Sequence, residues 1–193
     1  MKKVLITYAT QSGSTAELAE FMGRELTRSG AQVEVKPIHD VKDIKSYDAV
    51  VVGGPMLMGW HADAVKFLKE NQQTLQDKQV ACFASALSLT KASDSEPFPL
   101  KVFQDPSLAK SPVNPGRLSF KEKFSALSNY IAPMLTAAPL VKPESVAFFA
   151  GKLDLSTLNI FSRLFVQFII GAKPGDYRNW DSVRTWTASL SMG

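Results

Sequence analysis

The sequence is poor in the residues that build covalent cross-links and structural metal sites. Among its 193 residues it has one cysteine, Cys82, and two histidines. A single cysteine cannot form an internal disulfide, and these residues do not supply the four ligands of a structural zinc site. The composition therefore excludes a disulfide scaffold, and we expect no bound metal.

Signal-peptide features, membrane spans and runs of basic residues are also missing. The chain enters an apolar run at Val4 directly after Met1-Lys2-Lys3, without the apolar core and cleavage site of a signal peptide. The apolar segment 155–170 carries Arg163 and several polar residues and is too short to span a bilayer. The net charge of +4 is modest and its basic residues are scattered, which disfavours nucleic-acid binding. We expect a cytoplasmic protein whose basic charge is compatible with peripheral contact at the inner face of the membrane.

Apolar runs alternate with helical patterns along most of the chain. The apolar runs predict strands at 2–8, 32–36, 47–53, 79–84 and 145–150. The periodic segments predict helices at 15–29, 62–75, 119–135 and 181–190. Strict alternation of strand and helix is typical of an α/β fold with a parallel sheet covered by helices on both faces. We predict a single domain over residues 1–193.

The alternation breaks after the fourth predicted strand. Prolines crowd the following stretch, and the next helical pattern starts only at Ser119. An ordinary connection in an α/β fold is much shorter. We therefore predict an irregular, proline-rich insertion over about 89–120, ordered or not, which delays the helix at 119–135.

A loop rich in hydroxyl groups follows the first predicted strand and leads into the first helix. The first backbone N–H groups of a helix have no partner within it, and the helix dipole favours an anion there. Hydroxyl side chains add donors, and Gly13 lets the backbone curl close to a ligand. Since the loop has no lysine or arginine, we expect neutral donors alone to hold a phosphate. The predicted phosphate-binding residues are Thr10, Gln11, Ser12, Gly13, Ser14 and Thr15.

Two more loops leave the carboxyl ends of predicted strands, where open parallel sheets bind ligands. Both are largely apolar, and the first carries an indole ring. A phosphate site beside two apolar loops suits a ligand with one phosphate and a flat hydrophobic ring, and riboflavin phosphate (FMN) fits that description. The residues predicted to flank the ring are Pro55, Met56, Leu57, Met58, Gly59 and Trp60, and in the second loop Ser85, Ala86, Leu87 and Ser88.

The signatures of other nucleotide and phosphoryl sites are absent. No Gly-x-x-x-x-Gly-Lys-Ser/Thr motif brings a lysine to a β- or γ-phosphate, and no Gly-x-Gly-x-x-Gly follows the first strand. A phosphate-receiver domain would need acidic residues where the chain has Thr7-Tyr8 and Gly53-Gly54. These absences favour a monophosphate over a di- or triphosphate.

The phosphate loop, and Gly53-Gly54-Pro55 followed by a helix, resemble the FMN-binding loops of flavodoxins. The long insertion and the segments 150–154 and 180–183 resemble the menaquinone-dependent protoporphyrinogen IX dehydrogenase-like branch of that superfamily. The resemblance implies a doubly wound sandwich with five parallel strands in the order 2-1-3-4-5, FMN as cofactor, and Gly151 as a further cofactor-binding residue. It also implies an oxidoreductase that passes reducing equivalents from an apolar organic substrate through FMN to a quinone.

Several assignments stay open. Trp60 is either a ring at the flavin or an exposed contact for a partner, and His61 is either a proton donor or a solvent-exposed residue at a helix start. The alternative functions are a flavodoxin-type electron carrier, which the basic charge disfavours, and a flavin-free interaction module that docks through the insertion. We expect a monomer or a homodimer.

Overall fold

A computed structural model of the chain describes residues 1–56, 59–91, 100–114, 116–154, 156 and 173–192. The strands are β1 (Lys3–Tyr8), β2 (Gln32–Pro37), β3 (Ala49–Met56), β4 (Gln79–Ala86), β5 (Leu89–Thr90), β6 (Lys101–Gln104), β7 (Ala109–Lys110), β8 (Ser145–Ala150), β9 (Lys152–Leu153) and β10 (Gly175–Asp176). The helices are α1 (Ser14–Arg28), α2 (Ala62–Leu75), α3 (Phe120–Phe124), α4 (Leu127–Ala137) and α5 (Trp180–Ser189).

The central sheet has six strands in the order β2-β1-β3-β4-β8-β6. Every neighbouring pair in it runs parallel. The apolar runs of β1, β3, β4 and β8 are buried almost throughout, as expected of central strands covered on both faces. The predicted α/β fold is therefore confirmed, and β2-β1-β3-β4-β8 is the predicted order 2-1-3-4-5.

Two helical layers bury the faces of this sheet. On one face, α1 and α5 pack over Phe83 and Phe149, with Trp186 of α5 buried between them and its indole N–H donating to Ser145 Oγ at 2.9 Å. On the other face, α2 and α4 cover a second apolar cluster that includes Phe148. Within the ranges given above, no helix is both long enough and apolar enough to cross a membrane.

The sixth strand, β6, comes from the stretch for which the sequence indicated no regular structure. Its four residues pair with β8 from Ser145 to Phe148. The strand is too short, and its partner too distant in the chain, for an apolar pattern to predict it. The insertion therefore covers what would otherwise be the β8 edge of the sheet.

The helix predicted over 119–135 is two helices. Between them Ala126 has an extended backbone and bridges Thr90 of β5, whose N–H donates to Ser125 O at 2.8 Å. This pairing pulls the chain out of helical geometry, so α3 and α4 are separate. The predicted apolar face is buried in α4 at Leu127, Tyr130, Ile131 and Met134, whereas Phe120 of α3 is exposed.

Cys82 gives a direct test of the central sheet. It is fully buried in β4, and this burial raises the pKa of its thiol to about 12. We expect the native protein to resist thiol reagents at mildly alkaline pH, because the reactive thiolate does not form. In denaturant, one thiol per chain should react at the rate of a free cysteine. A labelling time course with and without denaturant measures this, and rapid stoichiometric labelling of the native protein would contradict the packing of β4.

Candidate functional site

The segments that leave the carboxyl ends of β1, β3, β4 and β8 enclose a cavity of about 50 Å³. Since one water molecule needs about 10–15 Å³ of such space, the cavity takes a group the size of a phosphate and not a whole nucleotide. Its lining residues are Gln11, Ser12, Ser14, Thr15, Pro55, Met56, Ser85, Ala86, Leu87, Gly151, Lys152, Leu153 and Asp154.

The N-terminus of α1 forms one wall of this cavity. Gly13 precedes the helix with a φ of 82°, a left-handed conformation that favours glycine, and its N–H donates to Thr10 Oγ1 at 3.0 Å. The first bond within the helix runs from Glu17 N to Gly13 O. The N–H groups of Ser14 and Thr15 precede that bond, and no side chain caps them. They are available to an anion in the cavity.

Buried hydroxyl groups stand beside these N–H groups. Thr15 Oγ1 and Ser85 Oγ lie 2.9 Å apart, and Ser14 Oγ accepts the N–H of Lys152 at 3.0 Å, which leaves the Ser14 hydroxyl hydrogen free to donate. Gly151 packs closely among them, because a Cβ there would lie 3.6 Å from Ala86 O. The cavity therefore offers neutral donors to an oxyanion from two separate segments, the start of α1 and the end of β4.

A cationic residue at this cavity was missed by the sequence reasoning. Lys152 is among the lining residues of the wall after β8, so a cationic residue stands at the cavity in addition to the neutral donors of the loop. Which of these groups hold a phosphate stays a prediction. Asp154 lies there too, and the hydroxyl and N–H of Ser156, with the nearby charge of Lys152, hold the pKa of its carboxyl below the usual value. Both residues follow the fifth predicted strand, where the rule for parallel sheets would have placed them.

An ion-pair cluster fastens the tail of the chain to the start of α1. The buried guanidinium of Arg178 bonds to Asp176 at 2.8 Å through Nε and to Glu17 at 2.6 Å, and lies 4.7 Å from the ring centre of Trp180. Arg178 also holds the pKa of the Asp176 carboxyl below its usual value. Since Asp176 pairs with Lys152 in the β9–β10 ladder, the cluster positions the Lys152 wall of the cavity.

The model of the flavodoxin domain family matches residues 5–178, about nine-tenths of the chain. The chain belongs to the flavodoxin domain family.

Two relatives extend the likeness over nearly the whole chain. Protoporphyrinogen IX dehydrogenase [quinone] from Escherichia coli strain K12 is 22% identical over 200 residues, which cover 98% of this chain and 94% of that protein. The protein of the same name from Leishmania major is 24% identical over 206 residues, covering 98% and 74%. Rubredoxin oxygen:oxidoreductase from Desulfovibrio gigas matches in structure with a TM-score of 0.50 and 14% identity over 98% of this chain and 35% of that one, which shows a shared fold.

In this flavodoxin domain, the first residues of the loop predicted to follow the third strand belong to the strand itself. Strand β3 continues to Met56, because Gly53 to Met56 pair with Phe83 to Ala86 of β4. Pro55 has no N–H to donate, and it fits in the strand because β1 ends at Tyr8, so no strand on that side would accept a hydrogen bond from residue 55. Pro55 and Met56 both line the cavity, while Leu57 and Met58 lie outside the described residues.

Trp60 turns inward in this flavodoxin domain. It is only 9% exposed, pairs with Met56 in an isolated bridge, and packs in the apolar cluster under α2. The interpretation of Trp60 as an exposed partner contact is therefore wrong. Trp60 is not among the lining residues of the cavity, and its role at a flavin ring stays a prediction.

The other described residues of the predicted site are not among those that line the cavity. Thr10 accepts the Gly13 N–H, Gly59 sits at the turn before Trp60, and the carbonyl of Ser88 accepts the Tyr130 hydroxyl at 3.4 Å. His61 precedes α2, and its Nδ1 accepts the N–H of Asp63 at 3.3 Å. This capping bond supports the interpretation of His61 as a helix-start residue, and its role as a proton donor stays a prediction.

Proposed function

We propose that this flavodoxin domain binds FMN, with the phosphate in the cavity at the start of α1. The observation that carries the proposal is the convergence of open helix N–H groups and buried hydroxyl groups on a space of phosphate size. Charge-assisted hydrogen bonds from such donors are about twice as strong as neutral ones. The donors fit a monophosphate ester, and the rim residues Pro55, Met56 and Leu87 supply an apolar surface for its ring.

The residues of the chain have separate tasks in this proposal. Ser14, Thr15 and Ser85 would hold the phosphate, with Lys152 adding a positive charge at the mouth of the cavity. FMN supplies reversible hydride and electron transfer when bound, so the protein needs no acid–base pair of its own. The protein's contribution is to fix the orientation of the ring through apolar contacts and to keep the phosphate out of water.

We further propose an oxidoreductase that passes reducing equivalents from an apolar organic substrate through FMN to a quinone. Two relatives named for protoporphyrinogen IX and quinone match 98% of the chain, insertion included, at 22–24% identity. The net charge of +4 also suits an acceptor in an anionic membrane more than a basic redox partner.

Removal of the Ser14 hydroxyl should weaken binding of FMN about tenfold and of riboflavin less than about twofold, because the hydroxyl faces the phosphate and riboflavin has none. The measurement is a pair of titrations, of FMN and of riboflavin, against native protein and Ser14→Ala. Ser29→Ala, at the other end of α1, is the matched control and should leave both affinities unchanged, because its hydroxyl bonds to Glu25 O within the helix end. Equal losses for both ligands in Ser14→Ala would place the phosphate elsewhere.

The redox proposal is tested on protein whose visible spectrum shows bound FMN. Anaerobic addition of protoporphyrinogen IX should bleach the oxidised flavin absorbance, and a menaquinone analogue should restore it. If the bound FMN stays oxidised after protoporphyrinogen IX is added, this compound is not the substrate. Rapid exchange with small redox proteins instead would favour an electron carrier, and a purified protein that takes up no FMN would favour an interaction module.

A further inference from the structure

Two large apolar side chains stand in solvent on the insertion. Val113 is 96% exposed and Phe120 is 74% exposed. Other large apolar side chains in the described part of the insertion, such as Leu108, are buried or half-buried. Both positions lie within one stretch of eight residues of the insertion.

A single carboxylate holds these two positions together. Glu122 Oε1 accepts the N–H of Val113 at 2.7 Å, and Oε2 accepts the N–H and the hydroxyl of Ser119 at 2.7 and 2.6 Å. Glu122 N in turn donates to Ser119 Oγ at 3.3 Å, which completes a capping box at the start of α3. These bonds hold the pKa of the Glu122 carboxyl below its usual value. Val113 and Phe120 therefore lie beside a turn that four hydrogen bonds hold in place.

The turn is itself anchored to the body of the domain. Thr90 of β5 donates its hydroxyl to Glu122 O at 2.8 Å, and its N–H binds Ser125 O at the same distance. Lys91 N donates to Lys110 O, which fixes the other arm of the insertion at β7. The turn is therefore held by β5, which pairs with β7 in a two-stranded sheet.

The segment that carries the two apolar side chains is positively charged. Residues 106–123 contain one acidic residue, Glu122, and its carboxylate is occupied within the turn. Lys110, Arg117 and Lys123 are exposed on the same segment. None of the three makes an ion pair among the residues that the structure describes. We call Lys110, Val113, Arg117, Phe120 and Lys123 the insertion face.

We propose that the insertion face docks on the headgroup region of an anionic lipid bilayer. Isolated apolar side chains that enter the acyl boundary, with unpaired cations beside them at headgroup level, form a peripheral membrane anchor. A protein partner fits less well, because the cores of protein interfaces are depleted in charged residues and lysine is rare in them. The inference goes beyond the proposed redox function and stands independently of FMN binding.

The test is sedimentation of the full chain with vesicles of mixed phosphatidylglycerol and phosphatidylcholine, and with vesicles of phosphatidylcholine alone. The native protein should partition at least about tenfold better to the anionic vesicles, and high salt should weaken this partitioning. Phe120→Ser should reduce anionic partitioning about tenfold, since it removes most of the inserted apolar area. Val113→Ser should reduce it about threefold.

Tyr177→Ser is the matched control, since Tyr177 is 47% exposed on the tail and outside the insertion face. It should partition like the native protein. A variant with Lys110→Gln, Arg117→Gln and Lys123→Gln should lose the preference for anionic vesicles, and circular dichroism verifies that each variant is folded. The proposal is overturned if the native protein does not bind anionic vesicles. It is also overturned if Phe120→Ser binds them as well as the native protein does. Failure of FMN binding would leave these vesicle results unaffected.

Discussion

Replacement of Asp105 by alanine is expected to destabilise the protein by about 3–5 kcal/mol, because several buried donors lose their acceptor at once. Asp105 is fully buried. Its Oδ1 accepts from the N–H and hydroxyl of Ser107 at 2.9 and 2.8 Å, from Asn179 Nδ2 at 3.4 Å and from Ser182 Oγ at 3.3 Å. Its Oδ2 accepts the N–H of Ala150 at 3.3 Å. Three parts of the chain that are distant in sequence therefore share one carboxylate.

The position of this carboxylate explains why no neighbour can replace it. Asp105 follows β6 in the insertion, Ala150 ends β8, and Asn179 and Ser182 begin α5. The negative charge also lies at the N-terminus of α5, where the helix dipole favours it. Loss of Asp105 should therefore loosen the insertion, the cavity wall after β8 and the last helix together.

Denaturant unfolding of Asp105→Ala and of Asp43→Ala measures this. Asp43 also accepts an N–H two residues ahead, that of Lys45 at 3.2 Å, but in an exposed turn. Its replacement should lower the free energy of unfolding by less than about 1 kcal/mol, so the comparison separates the buried hydrogen bonds of Asp105 from those of a local turn. An equal loss in the two variants would show that Asp105 acts only on its own turn.

Gly53→Ala, which adds one methyl group, is expected to lower the free energy of unfolding by about 3 kcal/mol or more. A Cβ at Gly53 would overlap the ring carbons Cζ and Cε1 of Phe83 and lie 2.7 Å from Cε2. The ring of Phe83 is fully buried and lies near Trp186, so it has no free space into which to move. Because β3 continues into Pro55 and Met56, the variant should also bind FMN more weakly.

The neighbouring glycine provides the control. A Cβ at Gly54 would lie 3.2 Å from Ala64 Cβ, which a small shift of α2 can accommodate. We expect Gly54→Ala to cost about 1 kcal/mol or less, and the double variant Gly53→Ala, Phe83→Leu to recover part of the loss by removing the ring. Unfolding midpoints that do not differ between Gly53→Ala and Gly54→Ala would contradict this packing.

The sequence predicted those features that arise from local pattern and from the rules of parallel sheets. Apolar runs such as Val50 to Val52 identify strands buried on both faces. The hydroxyl loop before α1 was placed correctly at a helix N-terminus, with Gly13 in a left-handed conformation. The strand order followed from the resemblance to flavodoxins.

Features that depend on contacts between distant segments could not be predicted. The short strand β9 exists because it pairs with β10, about twenty residues further along. The two helices α3 and α4 separate because β5 pairs with Ala126, and the inward turn of Trp60 depends on packing under α2. Asp105 looks like an ordinary turn residue in the sequence, and only the fold makes it a shared buried acceptor.

The place of β6 in the sheet sets an order of events for a chain made from its N-terminus. Strand β6 is synthesised before β8, yet in the sheet it pairs only with β8, on the side away from β4. Residues 101–104 therefore leave the ribosome about forty residues ahead of the strand that gives them their hydrogen bonds. Strand β6 must wait unpaired until residues 145–150 take their place beside β4, and Asp105 must wait longer still for α5. The nascent chain thus completes this edge of the domain last, and from its C-terminal end.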